Sequence, residues 1–240
     1  MFRLATLILW LLTLANQVCE AQTVKVMPFG ASIVSRCWRA NLQAKLKNAG
    51  MKDFDFVGSK TGTCGGNGVD QDHEGHPGAL ATDYAKNGDL VGWLNTNPPD
   101  VVLMLVGTND VLRKKSTNEI LAAYDTLLDQ MRNKNPRVQI IFSNLLPLDP
   151  ARFGADGVQG IKTLNAAIAS YAPKKSNLKS PVYFVDNFTE FDPVKDTDDG
   201  EHPNTSTGIE KMAVQFFKPT QTAIKAARAV KTMKSRIVVR

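Results

Sequence analysis

The residues of this chain that could do acyl-transfer chemistry begin with a serine at a turn. Ser32 follows an apolar run and opens an amphipathic segment in the stretch "VMPFGASIVSRCWRANL". A helix that starts there presents unpaired backbone N–H groups, which can stabilise an oxyanion beside the serine hydroxyl. Ser32 is therefore a candidate nucleophile. Taken alone, it is better explained as a helix-capping serine with no chemical role.

A second pair of residues could supply the base that a nucleophilic serine needs. Asp199 and His202 stand three residues apart in "DDGEHPN", within the reach of one turn. The carboxylate can accept a hydrogen bond from the imidazole Nδ1–H while the other ring nitrogen faces the serine. Such a base is required because the pKa of a serine hydroxyl is far too high for attack at neutral pH. Alone, the D-x-x-H pattern is common and weak.

Two further residues could donate hydrogen bonds to a developing oxyanion. Asn109, in "VGTND", follows an apolar run, and its side-chain amide is a donor. Gly78, in "DHEGHPG", lacks a Cβ and can bring its backbone N–H close to a substrate. Either residue alone would be interpreted as a turn residue.

The elements that must position these residues alternate along the chain. Five runs are typical of β-strands: 24–29, 54–58, 101–106, 138–143 and 182–185. Amphipathic stretches predict helices near 38–49, 80–95, 117–133, 159–171 and 206–230, and the Pro- and Gly-rich stretch 146–157 is expected to be a loop. The alternation predicts an α/β fold, flavodoxin-like, with three αβα layers and a five-stranded parallel sheet in the order 2-1-3-4-5.

In such sheets, ligands bind outside the carboxyl ends of the strands, near the point where the strand order reverses. The first and third predicted strands flank that point. Ser32 follows the first of them and Asn109 follows the third. We therefore expect the candidate residues to meet at this edge.

Several blocks, taken in order, carry a family resemblance. They are "MPFGASI", "DFVGS", "DQDHEGHPG", "PDVVLMLVGTNDV", "IIFSNLLPL" and "DDGEHPNTSTGIEKMA". From Val24 to Phe217 the chain resembles the SGNH hydrolases (GDSL-type esterases) and, more narrowly, carbohydrate esterase family 3, which contains acetyl xylan esterases. The resemblance implies the SGNH hydrolase fold and no cofactor.

The resemblance also implies a role for each candidate residue. Ser32 would be the nucleophile, His202 the general base and Asp199 its orienting partner. The oxyanion hole would consist of the Ser32 N–H, the Gly78 N–H and the Asn109 side chain. One position departs from the pattern, since Ala31 stands where the family usually has Asp. With alanine at this position, we expect an enzyme with reduced or altered activity and not an inactive protein.

By resemblance, the chain is expected to be a secreted serine esterase that hydrolyses O-acetyl or other short acyl esters. Its partner would be an acetylated plant cell-wall polysaccharide such as xylan, and we expect a monomer. Two alternatives stay open. One is an esterase or lipase for another small or lipid ester, and the other is a non-catalytic secreted binding protein on an SGNH scaffold.

A dense acidic and histidine-rich run precedes Gly78. Its potential metal ligands are Asp70, Asp72, His73, Glu74 and His76. Neighbouring residues rarely converge on one ion with defined geometry, so we expect a pocket-lining loop and no catalytic metal. Incidental calcium binding through the carboxylates stays open.

Residues 1–21 are predicted to be a secretory signal peptide, cleaved near Ala21, because a basic start, an apolar run and a small-residue end follow in order. A retained N-terminal membrane anchor is the alternative. Residues 22–240 would then form a single domain that is extracellular and makes no membrane contact after cleavage.

The two cysteines outside the leader are expected to form one disulfide between Cys37 and Cys64, with two separate thiols as the alternative. Asn187 and Asn204 lie in glycosylation sequons, which matter only in a eukaryotic host.

The net charge of +6 comes from the C-terminal segment, which holds eight Lys or Arg residues and no acidic residue from Lys211 onward. No nucleic-acid motif accompanies it, and we expect a solvated helix. Attraction to acidic polysaccharide or to a membrane surface stays open.

Overall fold

A computed structural model describes residues 23–238 of the chain, so the predicted signal peptide lies outside the described residues. The strands are β1 Val24–Gly30, β2 Phe54–Phe56, β3 Lys60–Thr61, β4 Asp72–Gly75, β5 Val101–Leu105, β6 Gln139–Ser143 and β7 Val182–Val185. The helices are α1 Ser32–Ser35, α2 Trp38–Asn48, α3 Ala81–Asn87, α4 Asp89–Thr96, α5 Thr108–Leu112, α6 Thr117–Lys134, α7 Pro150–Lys174 and α8 Gly208–Val238.

The five predicted strands form a parallel sheet in the predicted order. β1 pairs with β2 on one side and with β5 on the other, and β6 and β7 continue the sheet beyond β5. All five residues of β5 and of β6 are buried, as expected for strands covered by helices on both faces. The three-layer α/β fold is confirmed.

The sheet also contains two strands that the sequence pattern did not predict. β4 pairs in parallel with the carboxyl end of β1, where Phe29 and Gly30 face Glu74 and Gly75. β3 pairs antiparallel with β4 and has only two residues, both exposed. The prediction of five strands was therefore incomplete. Neither strand has the apolar run or alternation that signals a strand in a sequence.

The helices differ from the predicted ones at several places. The short helices α1 and α5 fall outside the predicted helical ranges. The stretch near 80–95 is two helices, because Gly88 adopts a left-handed conformation with φ 74° between α3 and α4. The predicted loop 146–157 is wrong from Pro150 onward, where α7 begins. The Asp149 side chain caps it by accepting from the Ala151 N–H at 2.9 Å. A non-helical residue, Gly154, then kinks the helix with φ 67°.

The C-terminal helix α8 covers the sheet and carries part of the basic excess. Phe216 stacks on Trp38 of α2, with ring centroids 4.6 Å apart. Three of its cations form ion pairs with acidic side chains of the body: Lys211 with Asp196 at 2.6 Å, Arg228 with Asp53 at 3.5 Å and Lys231 with Asp100 at 2.7 Å. The basic segment is thus partly neutralised by the domain on which it packs. Among the described helices, none is long and apolar enough to cross a bilayer.

The sequon residue Asn187 is buried, with 3% of its surface exposed, and its Nδ2 donates to the Ser143 Oγ at 2.8 Å. A glycan on that nitrogen is incompatible with this packing. The amide of Asn204 is also in use. It donates to the Lys195 carbonyl at 2.8 Å, and its Oδ1 accepts from the Gly208 N–H at 3.0 Å at the start of α8.

The expected disulfide is present between Cys37, just before α2, and Cys64 in the loop between β3 and β4. Arg39 lies beneath this loop and is fully buried. Its guanidinium donates to the carbonyls of Gln71 and Asp72, both at 3.2 Å. The disulfide and Arg39 together hold the loop that leads into β4 against α2.

Replacing both cysteines by alanine is expected to lower the free energy of unfolding by about 3–4 kcal/mol. The reason is that the cross-link closes a loop with a sequence separation of 27 residues, which restricts the unfolded chain. Urea unfolding of the oxidised wild type and of the double variant measures the difference. Reduced wild-type protein is the control and should match the variant. Equal stability of all three would contradict the expectation.

Candidate active site

Ser32 is the first residue of α1, directly after the carboxyl end of β1. Ala31 occupies the N-cap position, and the Ser32 hydroxyl makes no capping bond to the helix. It is instead 2.8 Å from the Nε2 of His202. The contacts of the Ser32 hydroxyl are therefore not those of a helix-capping serine.

The sharp turn before Ser32 requires a glycine. A Cβ on Gly30 would lie 1.9 Å from the carbonyl oxygen of Leu105 in the neighbouring strand β5. Only the absence of a side chain lets the two strands approach at the point where β1 ends. The Gly30 carbonyl accepts the hydroxyl of Tyr84 at 3.0 Å, which ties α3 to the same turn. Burial raises the pKa of Tyr84 well above its ordinary value, so the phenol stays a proton donor.

Asp199 and His202 form the second half of the site. The Asp199 Oδ2 is 2.8 Å from the His202 Nδ1, and its Oδ1 accepts from the backbone N–H groups of Glu201 at 3.1 Å and His202 at 2.8 Å. Partial burial raises the pKa of Asp199, but these hydrogen bonds and the histidine outweigh it and lower the pKa to about 2. The carboxylate is thus ionised and fixed in orientation.

The loop that carries this pair is held from within and from α7. The His202 carbonyl accepts from the Asp198 N–H at 3.0 Å, and the Gly200 N–H donates to the Thr197 Oγ1 at 2.7 Å. Gly200 has φ 88°, and a Cβ there would lie 2.8 Å from the Cβ of Asp149. The Gly200 carbonyl accepts from the Asp149 N–H at 2.9 Å. The start of α7 therefore braces the loop of the candidate base.

Gly78 and Asn109 lie on adjacent segments. The Asn109 Nδ2 donates to the carbonyl of Ala79, the residue after Gly78, at 3.0 Å. Gly78 is exposed and has φ 79°, a conformation that favours glycine. In the part of the chain that the structure describes, the N–H groups of Ser32 and Gly78 donate to no other protein group. Both are available to a ligand.

Sequence reasoning missed the residue that holds the Gly78 segment in place. Asp110 is fully buried, and its carboxylate accepts from the Ala81 N–H at 2.8 Å and from the Thr82 N–H at 3.0 Å. It caps α3 from another element, because the residue at the helix's own N-cap, Leu80, has no side-chain acceptor. The absence of a capping side chain at the start of this helix was the one feature of the sequence that indicated a cap from another segment.

The acidic and histidine-rich run does not converge on one point. The Glu74 carboxylate is buried and accepts from the Ser59 N–H at 2.8 Å and from the His76 Nε2 at 2.6 Å. The His73 Nδ1 accepts from the Gly75 N–H at 3.0 Å, and burial is the main factor that lowers the pKa of His73 to about 4. Over residues 23–238, no three acidic, histidine or cysteine side chains are grouped as metal ligands. The run is a hydrogen-bonded wall beside the site.

Comparison with known proteins gives consistent matches. A family model described as "GDSL-like Lipase/Acylhydrolase family" matches residues 29–207. A carbohydrate esterase family 3 structure from Talaromyces cellulolyticus is 34% identical with a TM-score of 0.77, covering 85% of this chain and 99% of that one. A family 3 carbohydrate esterase of Clostridium thermocellum is 32% identical with a TM-score of 0.71, covering 85% and 98%.

A longer relative also matches. A "Multidomain esterase" of Ruminococcus flavefaciens is 29% identical in an alignment of 234 positions, which covers 86% of this chain. The chain spans 30% of the length of that protein.

Proposed function

The chain belongs to the GDSL-like lipase/acylhydrolase family and, more narrowly, to carbohydrate esterase family 3; from this premise we propose that it is a serine esterase for short acyl esters, chiefly O-acetyl groups on polysaccharide. The observation that carries the proposal is the hydrogen-bonded series Asp199–His202–Ser32. Both links measure 2.8 Å, which is within the reach that proton transfer requires.

In the first step, His202 removes the Ser32 proton through Nε2 as the Oγ attacks the ester carbonyl carbon. The charge that develops on the carbonyl oxygen is stabilised by the N–H groups of Ser32 and Gly78 and by the Asn109 amide. The Asp199 carboxylate keeps the remaining ring proton on Nδ1 and stabilises the imidazolium. The tetrahedral intermediate collapses as His202 protonates the leaving alcohol, and an acyl-enzyme forms.

In the second step, the same groups act on water. His202 takes a proton from a water molecule, which attacks the acyl carbon and passes through a second oxyanion in the same hole. The Ser32 oxygen leaves with a proton from His202, and the carboxylic acid is released. Every proton transfer in the cycle uses the one nitrogen that faces Ser32.

The substitution of Ala31 for the usual Asp leaves this geometry in place. Ala31 is buried, and the Ser32–His202 contact next to it keeps a distance of 2.8 Å. The turn is supported on its other sides by Gly30, packed on β5, and by Tyr84. These contacts support an active enzyme in spite of the departure.

We place the protein outside the cell. The predicted signal peptide and a disulfide, which persists in oxidising compartments, both support export. The similarity to family 3 carbohydrate esterases supports a polysaccharide substrate, with xylan as the first polymer to test.

The proposal is tested by hydrolysis of an activated acetate ester and of acetylated xylan, followed by inactivation with an organophosphonate. We expect both substrates to be hydrolysed and the inhibitor to attach to Ser32, as located by mass spectrometry of the digested protein. The exposed Ser170 and the neighbouring Ser35 are internal controls and should stay unlabelled. Activity without labelling of Ser32, or no activity on either ester, would overturn the proposal.

A further inference from the structure

A cleft of about 660 Å³ separates α5 and the start of α6 from α7. We refer to it as the α5–α7 cleft. Val111 and Leu112 form one wall, and Phe153, Gly157 and Gly160 of α7 lie opposite. The volume is within the range of about 300–1,000 Å³ that is typical of small-molecule sites.

Two residues that line the cleft neighbour segments that carry proposed catalytic residues. Leu112 is one turn beyond Asn109 on the same short helix α5. On the opposite wall, Phe153 lies against the loop that carries Asp199 and His202. A Cβ on Gly200 of that loop would be 3.3 Å from the Phe153 Cε2. Gly200 is two residues before His202. Both walls of the cleft therefore adjoin segments that carry proposed catalytic residues.

The walls combine apolar and polar groups in the way that a sugar ring requires. Leu112 and Phe153 pack on the core with one side and remain partly exposed on the other. Gln159 and Thr163, on the exposed face of α7, offer an amide and a hydroxyl to the same space. An aromatic ring accommodates the C–H face of a sugar, while amides and hydroxyls bind its hydroxyl groups.

The rim of the cleft is basic. Lys114 and Lys115 are exposed, and within residues 23–238 neither ammonium group lies within ion-pair or hydrogen-bond distance of a partner, although the Glu119 carboxylate is near enough to attract Lys115. Asp156 is the carboxylate that lines the opposite side. Lys114 also has φ 58° where α5 ends, a left-handed conformation that glycine usually supplies at this position. A lysine kept there at a conformational cost is consistent with a use for its charge.

We propose that the α5–α7 cleft binds the polysaccharide chain of the ester substrate, and that Lys114 and Lys115 bind carboxylate groups carried by that chain. The inference rests on the proposed esterase function and adds the site and the chemical class of the substrate. A neutral polymer would bind only through contacts with the walls of the cleft. A polymer with uronic acid substituents would bind more tightly, because its carboxylates would also contact the lysines of the rim.

The walls are tested by filling the cleft. Thr163→Trp places a bulky ring in it, and Ala169→Trp on the same helix, exposed but outside the cleft, is the matched control. We expect Thr163→Trp to lower kcat/KM on acetylated glucuronoxylan about tenfold or more relative to the activated acetate ester, while the control changes neither. Equal effects on the two substrates would overturn the proposal.

The rim is tested by binding, which does not depend on turnover. In the Ser32→Ala background, titration of a glucuronic-acid-substituted xylo-oligosaccharide should show Lys114→Gln/Lys115→Gln to bind about tenfold more weakly at low salt. The charge control Lys162→Gln/Lys179→Gln removes two exposed lysines outside the cleft and should bind normally. An unsubstituted xylo-oligosaccharide should bind the rim variant and its parent equally.

The binding outcomes separate the two proposals. Oligosaccharide binding that the rim variant weakens, in a protein that hydrolyses no ester, would refute the esterase function and leave the cleft as a polysaccharide site. Ester hydrolysis by a protein that binds neither oligosaccharide would refute the cleft proposal and leave the esterase. Equal weakening by the rim variant and the charge control would also refute it, since attraction would then follow net charge alone.

Discussion

Ser32→Ala is expected to lower kcat on an activated acetate ester by at least about 10⁴-fold, with an unfolding transition close to that of the wild type. The variant keeps His202, Asp199 and the proposed oxyanion donors but has no atom to form the acyl-enzyme. Ser170→Ala, which removes an exposed hydroxyl from α7, is the control and should retain full activity. Steady-state kinetics and thermal unfolding of the three proteins provide the comparison.

The same pair of measurements distinguishes a nucleophile from a helix cap. Loss of a capping serine lowers stability by about 1 kcal/mol and leaves chemistry untouched. The Ser32 hydroxyl contacts His202 and does not cap α1, so we expect the opposite pattern. A variant that is destabilised but retains activity within tenfold of the wild type would contradict the assignment of Ser32.

Asp199→Asn is expected to lower kcat by about 10³–10⁴-fold, and by more than Asp199→Ala does. Two backbone N–H groups donate to the Oδ1 of Asp199, so the amide oxygen of asparagine will take that position. The amide NH₂ then faces the His202 Nδ1 and can only donate to it. The ring proton must move to Nε2, the nitrogen that has to accept the Ser32 proton.

The alanine variant removes the carboxylate but forces no tautomer. Water can take the place of the Oδ2, and we expect a loss of about 10–100-fold from poorer orientation of the ring. Because the pKa of Asp199 is lowered to about 2, the wild-type carboxylate stays ionised across the mildly acidic and neutral range in which the variants are compared. Kinetics of both variants at neutral pH give the ordering, and an asparagine variant as active as the alanine variant would contradict it.

Much of the fold followed from the sequence because its signals are local. β1, β5 and β6 are buried on both faces over most of their length, so their residues are apolar or small except Lys25 and Gln139 near the strand starts, and amphipathic helices separate the strands. The strand order then follows from the handedness of the crossovers. The same reasoning places Ser32 and Asn109 at one edge of the sheet.

What the sequence could not provide depends on contacts between distant segments. β4 is a strand because the end of β1 offers it unpaired backbone groups, and its own polar residues carry no pattern. Asp110 stands next to an expected oxyanion donor, yet its contribution is to cap α3, about thirty residues away in the chain. The start of α7 is rich in Pro and Gly, which is why it was predicted to be a loop. In the structure it is helical and contacts the loop that carries His202.

The sequence by itself determined which chemistry was available: a serine after a strand, a D-x-x-H pair and two candidate donors, in the order of a known family. The local sequence is the same whether the Ser32 hydroxyl caps a helix or contacts a catalytic base. Only the tertiary structure decides between these two contacts. A helix N-cap is specified within four residues, whereas the Ser32–His202 contact joins atoms 170 residues apart. Only the packing of β1, α7 and the Asp199 loop fixes that distance.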